Sequence, residues 1–262
     1  MAEFKTILFS IENNVCTITL NRPDAYNAFN EELTTELQDA LKSAENDATI
    51  RCVVLTGAGK AFCSGQDLKD APTGGGKRSL ADSLKRRYNP IIRRIRNMPK
   101  PVIGSLNGVV AGAGCGVAFA CDYRLAAEHV KFVEAFINIA LVPDSGALYT
   151  VFQSLGYAKA FEWAALGEPI LAAQAEHVGL INKCVPATNL ESETKAAASR
   201  FAQGPTKTYG LVKRMLSRFE TRSFDSALDY EVWMQQLAGT GNDYSEGVKA
   251  FIEKRSPRFT GT

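Results

Sequence analysis

The sequence predicts an α/β chain on three observations: short β-prone apolar runs, amphipathic helical patterns alternating with them as far as about residue 200, and two small-residue turns that each follow a buried strand. Taken in order, residues 7–11 and 15–20 are β-prone runs joined by Glu12-Asn13-Asn14, a hairpin signal. A helix follows. Asn30 stands where an N-cap belongs, Leu33, Leu37, Ala40, Leu41 and Ala44 recur on one face, and Glu31 and Glu32 complement the dipole of the first turn. Residues 51–56 read as a buried strand. The same logic repeats with an apolar strand at 102–107, a glycine-rich turn, a short buried helix at 115–120 and a strand at 123–126. A helix is expected over 148–155. The carboxy-terminal quarter changes character, with helical patterns at 189–203, 206–219, 224–238 and 243–254 punctuated by Gly204-Pro205 and by glycines at 239 and 241. That change sets a boundary near residue 200, dividing a core over 1–200 from a helical region over 201–262. Residues 71–77, with three consecutive glycines, read as a loop or lid.

Composition removes several classes of function. A length of 262 residues with 45% hydrophobic and 22% charged residues is that of a globular chain with a sizeable core. Thirty Lys and Arg against 28 Asp and Glu leave a balance too even to imply nucleic acid or a membrane surface. The opening Met-Ala-Glu-Phe-Lys is not the basic start of a signal peptide, and no apolar run approaches the ~18 residues of a membrane span, so a cytoplasmic protein without membrane association is expected. Six cysteines lie scattered in apolar segments without CxxC spacing, which predicts reduced packing residues rather than disulfides or zinc ligands. With only His129 and His177, neither a metal site nor a histidine-based triad is expected, and acid–base chemistry falls to carboxylates.

The glycine clusters do not make a nucleotide fingerprint. Gly57-Ala58-Gly59 and Gly112-Ala113-Gly114 are followed by Phe62 and Val117 where a third glycine is required, and P-loops ending at Lys77 or Lys60 would need glycine at Ala71 or Val54. Two small-residue turns remain, at 61–68 and 107–116. Backbone amides freed there can converge on one oxygen as an oxyanion hole, or the small residues can simply let strand and helix pack closely. Later comes Leu141-Val142-Pro143-Asp144-Ser145-Gly146. A carboxylate among apolar neighbours suits a base that takes and returns a proton, yet Asp144 also stands where an N-cap would open the next helix. Segment 85–100 holds seven basic residues and no acid around the stripe Leu84, Tyr88, Ile91, Ile92 and Ile95, with Pro90 interrupting it. It reads as a solvated basic face or as a surface for phosphate.

These residues resemble the crotonase, or enoyl-CoA hydratase/isomerase, superfamily. The likeness runs the whole length: Leu20-Asn21-Arg22-Pro23 with Asn27-Ala28, Leu55-Thr56-Gly57, the 61–68 turn, the segment 100–116, Ala120-Cys121-Asp122, Lys131-Phe132 and Gly179-Leu180-Ile181. Within the superfamily, Gly65-Gln66-Asp67-Leu68, Gly112-Ala113-Gly114, Leu141-Val142-Pro143-Asp144 and the tail 246–261 are most similar to the branch that isomerises ring epoxides of aryl-acyl-CoA.

The resemblance implies a spiral of ββα turns, a helical carboxy-terminal trimerisation region, assembly as a homotrimer or dimer of trimers, and an acyl-CoA thioester substrate with no separate cofactor. Carried over by position, the amides of Gln66 and Ala113 hold the thioester oxygen and Asp144 moves the proton. Ala28, Ser64, Asp67, Leu68, Gly112 and Phe136 line the substrate cleft, and Phe251 and Lys254 belong to a terminal helix closing over CoA. Hydratases of the family have glutamates where this chain has Gly116 and Phe136, so hydration is expected to be poor and isomerisation is the leading reading. The alternatives are a hydratase, an aspartyl-ester dehalogenase or hydrolase, and an RNA-binding homologue using segment 85–100; nucleic acid is not the expected partner. The family's paired glycine is Gly146-Ala147 here.

Overall fold

The computed structural model describes residues 4–70, 79–219 and 223–262. The loop read at 71–77 lies outside them. The chain opens with the hairpin β1 (Ile7–Glu12) and β2 (Val15–Leu20), paired antiparallel from Ile7 opposite Leu20 to Glu12 opposite Val15. Asn13 and Asn14 close it at φ 50° and 64°, the left-handed turn that asparagine tolerates. Helix α1 (Glu31–Asn46) begins where the sequence predicts: the Asn30 side chain accepts from Leu33 N at 2.8 Å, a cap worth about 1 kcal/mol. At its other end the buried Lys100 ammonium donates to Ala44 O and Asp47 O at 2.7 and 2.6 Å, placing a cation on the carbonyl end of the helix dipole.

From β3 onward the chain alternates between two sheets. Strands β3 (Cys52–Gly57) and β4 (Ala61–Cys63) are followed by α2 (Leu80–Ser83) and α3 (Asn89–Asn97). Strands β5 (Val102–Leu106) and β6 (Val109–Ala111) lead into α4 (Ala113–Ala120). Strands β7 (Tyr123–Ala127) and β8 (Lys131–Val133) lead, through a 3-10 turn at Ala135–Ile139, into α5 (Ala147–Leu166). The first strand of each pair joins a six-stranded sheet of order β1-β2-β3-β5-β7-β10, the second a four-stranded sheet of order β4-β6-β8-β9, and successive pairs stack in parallel. This is the expected ββα spiral. Strand β9 (Ile170–Leu171) and helix α6 (Ala172–His177) precede β10 (Lys183–Val185).

Two local expectations are refined. The backbone stays helical from α2 through a π-helical turn at Leu84–Tyr88 into α3, so the donor missing at Pro90 is accommodated by a π-bulge within one continuous helical stretch. Helix α5 runs beyond the 148–155 expected for it. Gly156 leaves helical geometry at φ 77°, ψ 176°, but the chain resumes its helix to Leu166.

Helices α7 (Leu190–Gln203), α8 (Thr206–Phe219), α9 (Phe224–Gly239) and α10 (Asn242–Ile252) complete the chain, with α7 packed on β3, β5 and β7. Helix α8 is tied to the core by Lys213, which pairs with Asp122 at 2.7 Å and donates to Ile95 O and Lys100 O. All six cysteines are free, and burial pushes the thiols of Cys16, Cys52, Cys63 and Cys121 up to about 12, as befits packing residues. Among the described residues no helix is long and apolar enough to cross a membrane, and no three His, Cys, Asp or Glu residues gather as metal ligands.

Candidate active site

Strands β4 and β6 are parallel neighbours, so the turns that leave them emerge on the same side of the small sheet. Those turns carry Gly65-Gln66 and Gly112-Ala113. A Cβ at Gly65 would lie 2.9 Å from Ala111 O and 3.5 Å from Ala113 N, which measures how closely the turns meet and, with φ at +92°, why glycine stands there. In each turn the peptide carbonyl is held away from the gap. Gly65 O accepts from Phe29 N at 2.7 Å, and Gly112 O accepts from Cys115 N at 2.8 Å. Because the peptides are trans, the N–H groups of Gln66 and Ala113 point the opposite way, and neither makes a hydrogen bond among the described residues. Ala113 is also the first residue of α4, a helix buried along its whole length, so its amide carries the positive end of a dipole in a dry setting. Two preorganised donors beside an apolar wall are the arrangement that stabilises a developing oxyanion.

The wall is Phe136. Its Cε2 and Cζ stand 3.6 and 3.7 Å from where a Gly112 Cβ would be, and its carbonyl accepts from Leu141 N at 3.0 Å. That bond closes the turn that leads to Asp144. The N-cap alternative for Asp144 is overturned: the cap of α5 is Gly146, with no side-chain bond to the helix. Ser145 and Gly146 both take left-handed backbone, at φ 53° and 77°, and turn Asp144 away from the helix start. The half-buried Asp144 carboxylate accepts from the Ser145 hydroxyl at 2.8 Å. Burial pushes its pKa above the usual aspartate value, and the Ser145 hydrogen bond opposes that only in part. Ser145 itself is pressed on α4: a Cβ at Gly116 would lie 2.5 Å from both Ser145 Cβ and Ser145 O.

The remaining predicted site residues fall into two groups. Ala28, Ser64 and Asp67 gather near the first amide. Ser64 N donates to Tyr26 O, and Arg22 bonds both the Ala28 carbonyl and, at 2.9 Å, the Asp67 carboxylate. Burial works against the Asp67 charge, yet Arg22 and the Lys69 amide together hold its carboxyl below the usual range. Leu68 follows, 78% exposed. Phe251 and Lys254 stand apart: Phe251 is 86% exposed on α10, which contacts α9, and Lys254 follows the end of that helix.

Sequence reasoning missed Glu134. It is fully buried between β8 and the 3-10 turn, and neither carboxyl oxygen has a hydrogen-bond partner among the described residues. Its only sequence signal was an acid inside the apolar run Phe132-Val133-Glu134-Ala135-Phe136. Burial first, and the Asp144 charge second, push it up to about 9. The basic segment is divided: Arg87 pairs with Asp70 at 3.3 Å, Arg94 with Glu45 at 3.1 Å and Lys100 caps α1, while Lys85, Arg86 and Arg93 are exposed as a solvated face.

Residues 10–262 match the family model described as Enoyl-CoA hydratase/isomerase. The chain is 45% identical to 1,2-epoxyphenylacetyl-CoA isomerase of Escherichia coli (strain K12), covering 100% of both chains. It is 38% identical to a protein of Rhodobacter capsulatus named "Probable enoyl-CoA hydratase", over 98% of this chain and 99% of that one. The crystal structure of enoyl-CoA hydratase from Bacillus anthracis superposes with a TM-score of 0.92 at 30% identity, over 98% of this chain and 100% of the other.

Proposed function

The chain belongs to the enoyl-CoA hydratase/isomerase family, and on that premise we propose that it is an acyl-CoA isomerase working with one carboxylate, Asp144. The thioester oxygen sits between the amides of Gln66 and Ala113. In a 3-enoyl thioester, Asp144 removes a proton from C2, the electron pair delocalises as a dienolate whose oxygen the two amides hold, and the same carboxyl returns the proton to C4, giving the 2-enoyl product. The other substrate of the proposal is a ring epoxide of phenylacetyl-CoA, supported by the activity for which the Escherichia coli relative is named. Within the family reading, the apolar row Phe224, Leu228, Val232 and Trp233 on α9, each at least 44% exposed, is the face that assembly into trimers covers.

The observation that carries the isomerase reading is steric. Water addition needs a second acid–base group, and the two family positions for it hold Phe136, packed on the oxyanion turn, and Gly116, where backbone and side chain of Ser145 occupy the space a Cβ needs. Gly116→Glu is therefore expected to lose about 1–3 kcal/mol of stability by overpacking and to gain no hydratase activity, because the new side chain displaces Ser145 and with it Asp144. Thermal unfolding and a crotonyl-CoA hydration assay of the variant check this. The reading as a whole is tested by assaying 3-enoyl, 2-enoyl and ring-epoxide CoA thioesters side by side. Isomerisation of the first or last at a rate well above crotonyl-CoA hydration is expected, and hydration faster than both would overturn it.

A further inference from the structure

The Glu134 carboxyl has no role in the chemistry above, yet it is fully buried and feels the charge of Asp144. From α4 it is faced by Cys115, in the first helical turn, whose thiol is directed to Val110 O and Val133 O. From the loop before α5 it is faced by Asp144. No cation faces it among the described residues; neither oxygen meets an N–H or O–H donor, and the weak Cys115 thiol donor beside it opposes the effect of burial only in part. A charged carboxylate with only a weak thiol donor and no counter-ion is costly to bury. A carboxylic acid in the same place costs far less.

Resting on the reading of Asp144 as the proton carrier, we propose that Glu134 and Asp144 act as a carboxyl pair holding one proton between them in the active state, with Glu134 the member that keeps it. Glu134 is then a positioning residue that works through its neighbour. While it is neutral, Asp144 is the single anion of the pocket and the α4 amide end keeps its full attraction for the enolate oxygen. Once it ionises, a second negative charge stands beside Asp144 and the oxyanion turn, opposing both removal of a proton from substrate and build-up of enolate charge. Turnover therefore has an alkaline limb near the Glu134 midpoint of about 9, set by a group that never touches substrate.

Linkage fixes the sign of a second, activity-independent signature. The folded-state pKa of Glu134 is raised from 4.5 to about 9, so between those values the folded chain holds a proton that the unfolded chain has released. Its contribution to stability is complete below the unfolded value and is lost as pH rises to about 9. One extra bound proton raises the unfolding constant up to tenfold per pH unit across that window.

The experiment compares wild type with Glu134→Gln, a neutral isostere, by turnover and by denaturant unfolding from pH 5 to 10. The expected result is an alkaline limb in the wild type that is absent from the variant, and a stability difference that moves by up to tenfold in the unfolding constant per pH unit. Repeating the unfolding pair in an Asp144→Asn background is expected to shift the Glu134 midpoint downward, because the opposing charge is gone. If Glu134→Gln does not fold, the infrared carbonyl band of a protonated carboxylic acid in the wild type, present at neutral pH and lost on passing about 9, replaces the unfolding arm. Superimposable pH profiles, no protonated band at neutral pH, or a midpoint unmoved by Asp144→Asn each overturn the pair. The unfolding and infrared arms decide it even if Asp144 proves not to carry the substrate proton, a separate failure that the turnover of Asp144→Asn reveals.

Discussion

Asp144→Asn is expected to fold as the wild type does and to lose isomerase turnover by about 10²- to 10⁴-fold, the usual contribution of a positioned general base. The amide is isosteric and its oxygen still accepts from the Ser145 hydroxyl, so the loop keeps the bond that orients the side chain. It has no basic lone pair for a carbon acid. The effect on stability has the opposite sign. Burial holds the Asp144 pKa above its unfolded value, so the ionised side chain costs stability at neutral pH, and the neutral amide relieves that cost. Loss of turnover with unchanged or increased thermal stability is therefore the signature of a catalytic carboxylate; turnover close to wild type would remove Asp144 from the mechanism. The wild-type rate should also fall toward acid pH, along a limb lying above the ordinary aspartate range, as protonation removes the base.

The second large effect is expected at a main-chain atom. Ala113→Pro deletes one of the two amide donors while placing proline at the first position of α4, where its fixed φ is helical and no intrahelical bond is lost. The preceding residue is Gly112, at φ 51° and ψ −127°, a conformation that only glycine holds easily and that needs no Cβ to avoid the proline ring. The helix should therefore survive, and loss of one oxyanion donor should cost about 10²- to 10³-fold in kcat. Circular dichroism and thermal unfolding report the fold, and steady-state kinetics with a 3-enoyl-CoA report the donor. A variant that folds and retains more than a tenth of wild-type kcat would show that the Ala113 amide is not an oxyanion donor. Replacing the side chain at Gln66, by contrast, leaves its N–H in place, so the pair of donors is sensitive to backbone substitution and tolerant of side-chain change.

Much of this architecture was legible one segment at a time. Asn30 was readable as a cap because capping is a contact across three residues, and Leu33, Leu37, Ala40, Leu41 and Ala44 as a buried stripe because helical periodicity is local; all five are buried. The hairpin turn was readable because Asn13 and Asn14 tolerate left-handed backbone. Asp144 was legible as an acid among apolar residues, but its alternative as a helix cap could be decided only by the backbone of Ser145 and Gly146, a choice made by the packing of Ser145 on Gly116. The basic segment misleads when read alone. Two of its charges, Arg87 and Arg94, are matched by Asp70 and Glu45, which the linear order separates from them, while Lys85, Arg86 and Arg93 form the solvated part.

What the residues by themselves determined is the kind of structure each segment forms and which groups are available for chemistry: alternating strands and helices, two glycine turns, carboxylates but hardly any histidine. Those are consequences of short-range sterics, periodicity and side-chain type. Tertiary structure alone decided that the turn after β4 and the turn after β6 face the same gap, because that follows from their parallel pairing in the small sheet. It also decided how strongly Glu134 and Asp144 each resist ionisation, since the charge a carboxyl can carry depends on the donors and dielectric that distant parts of the chain bring around it.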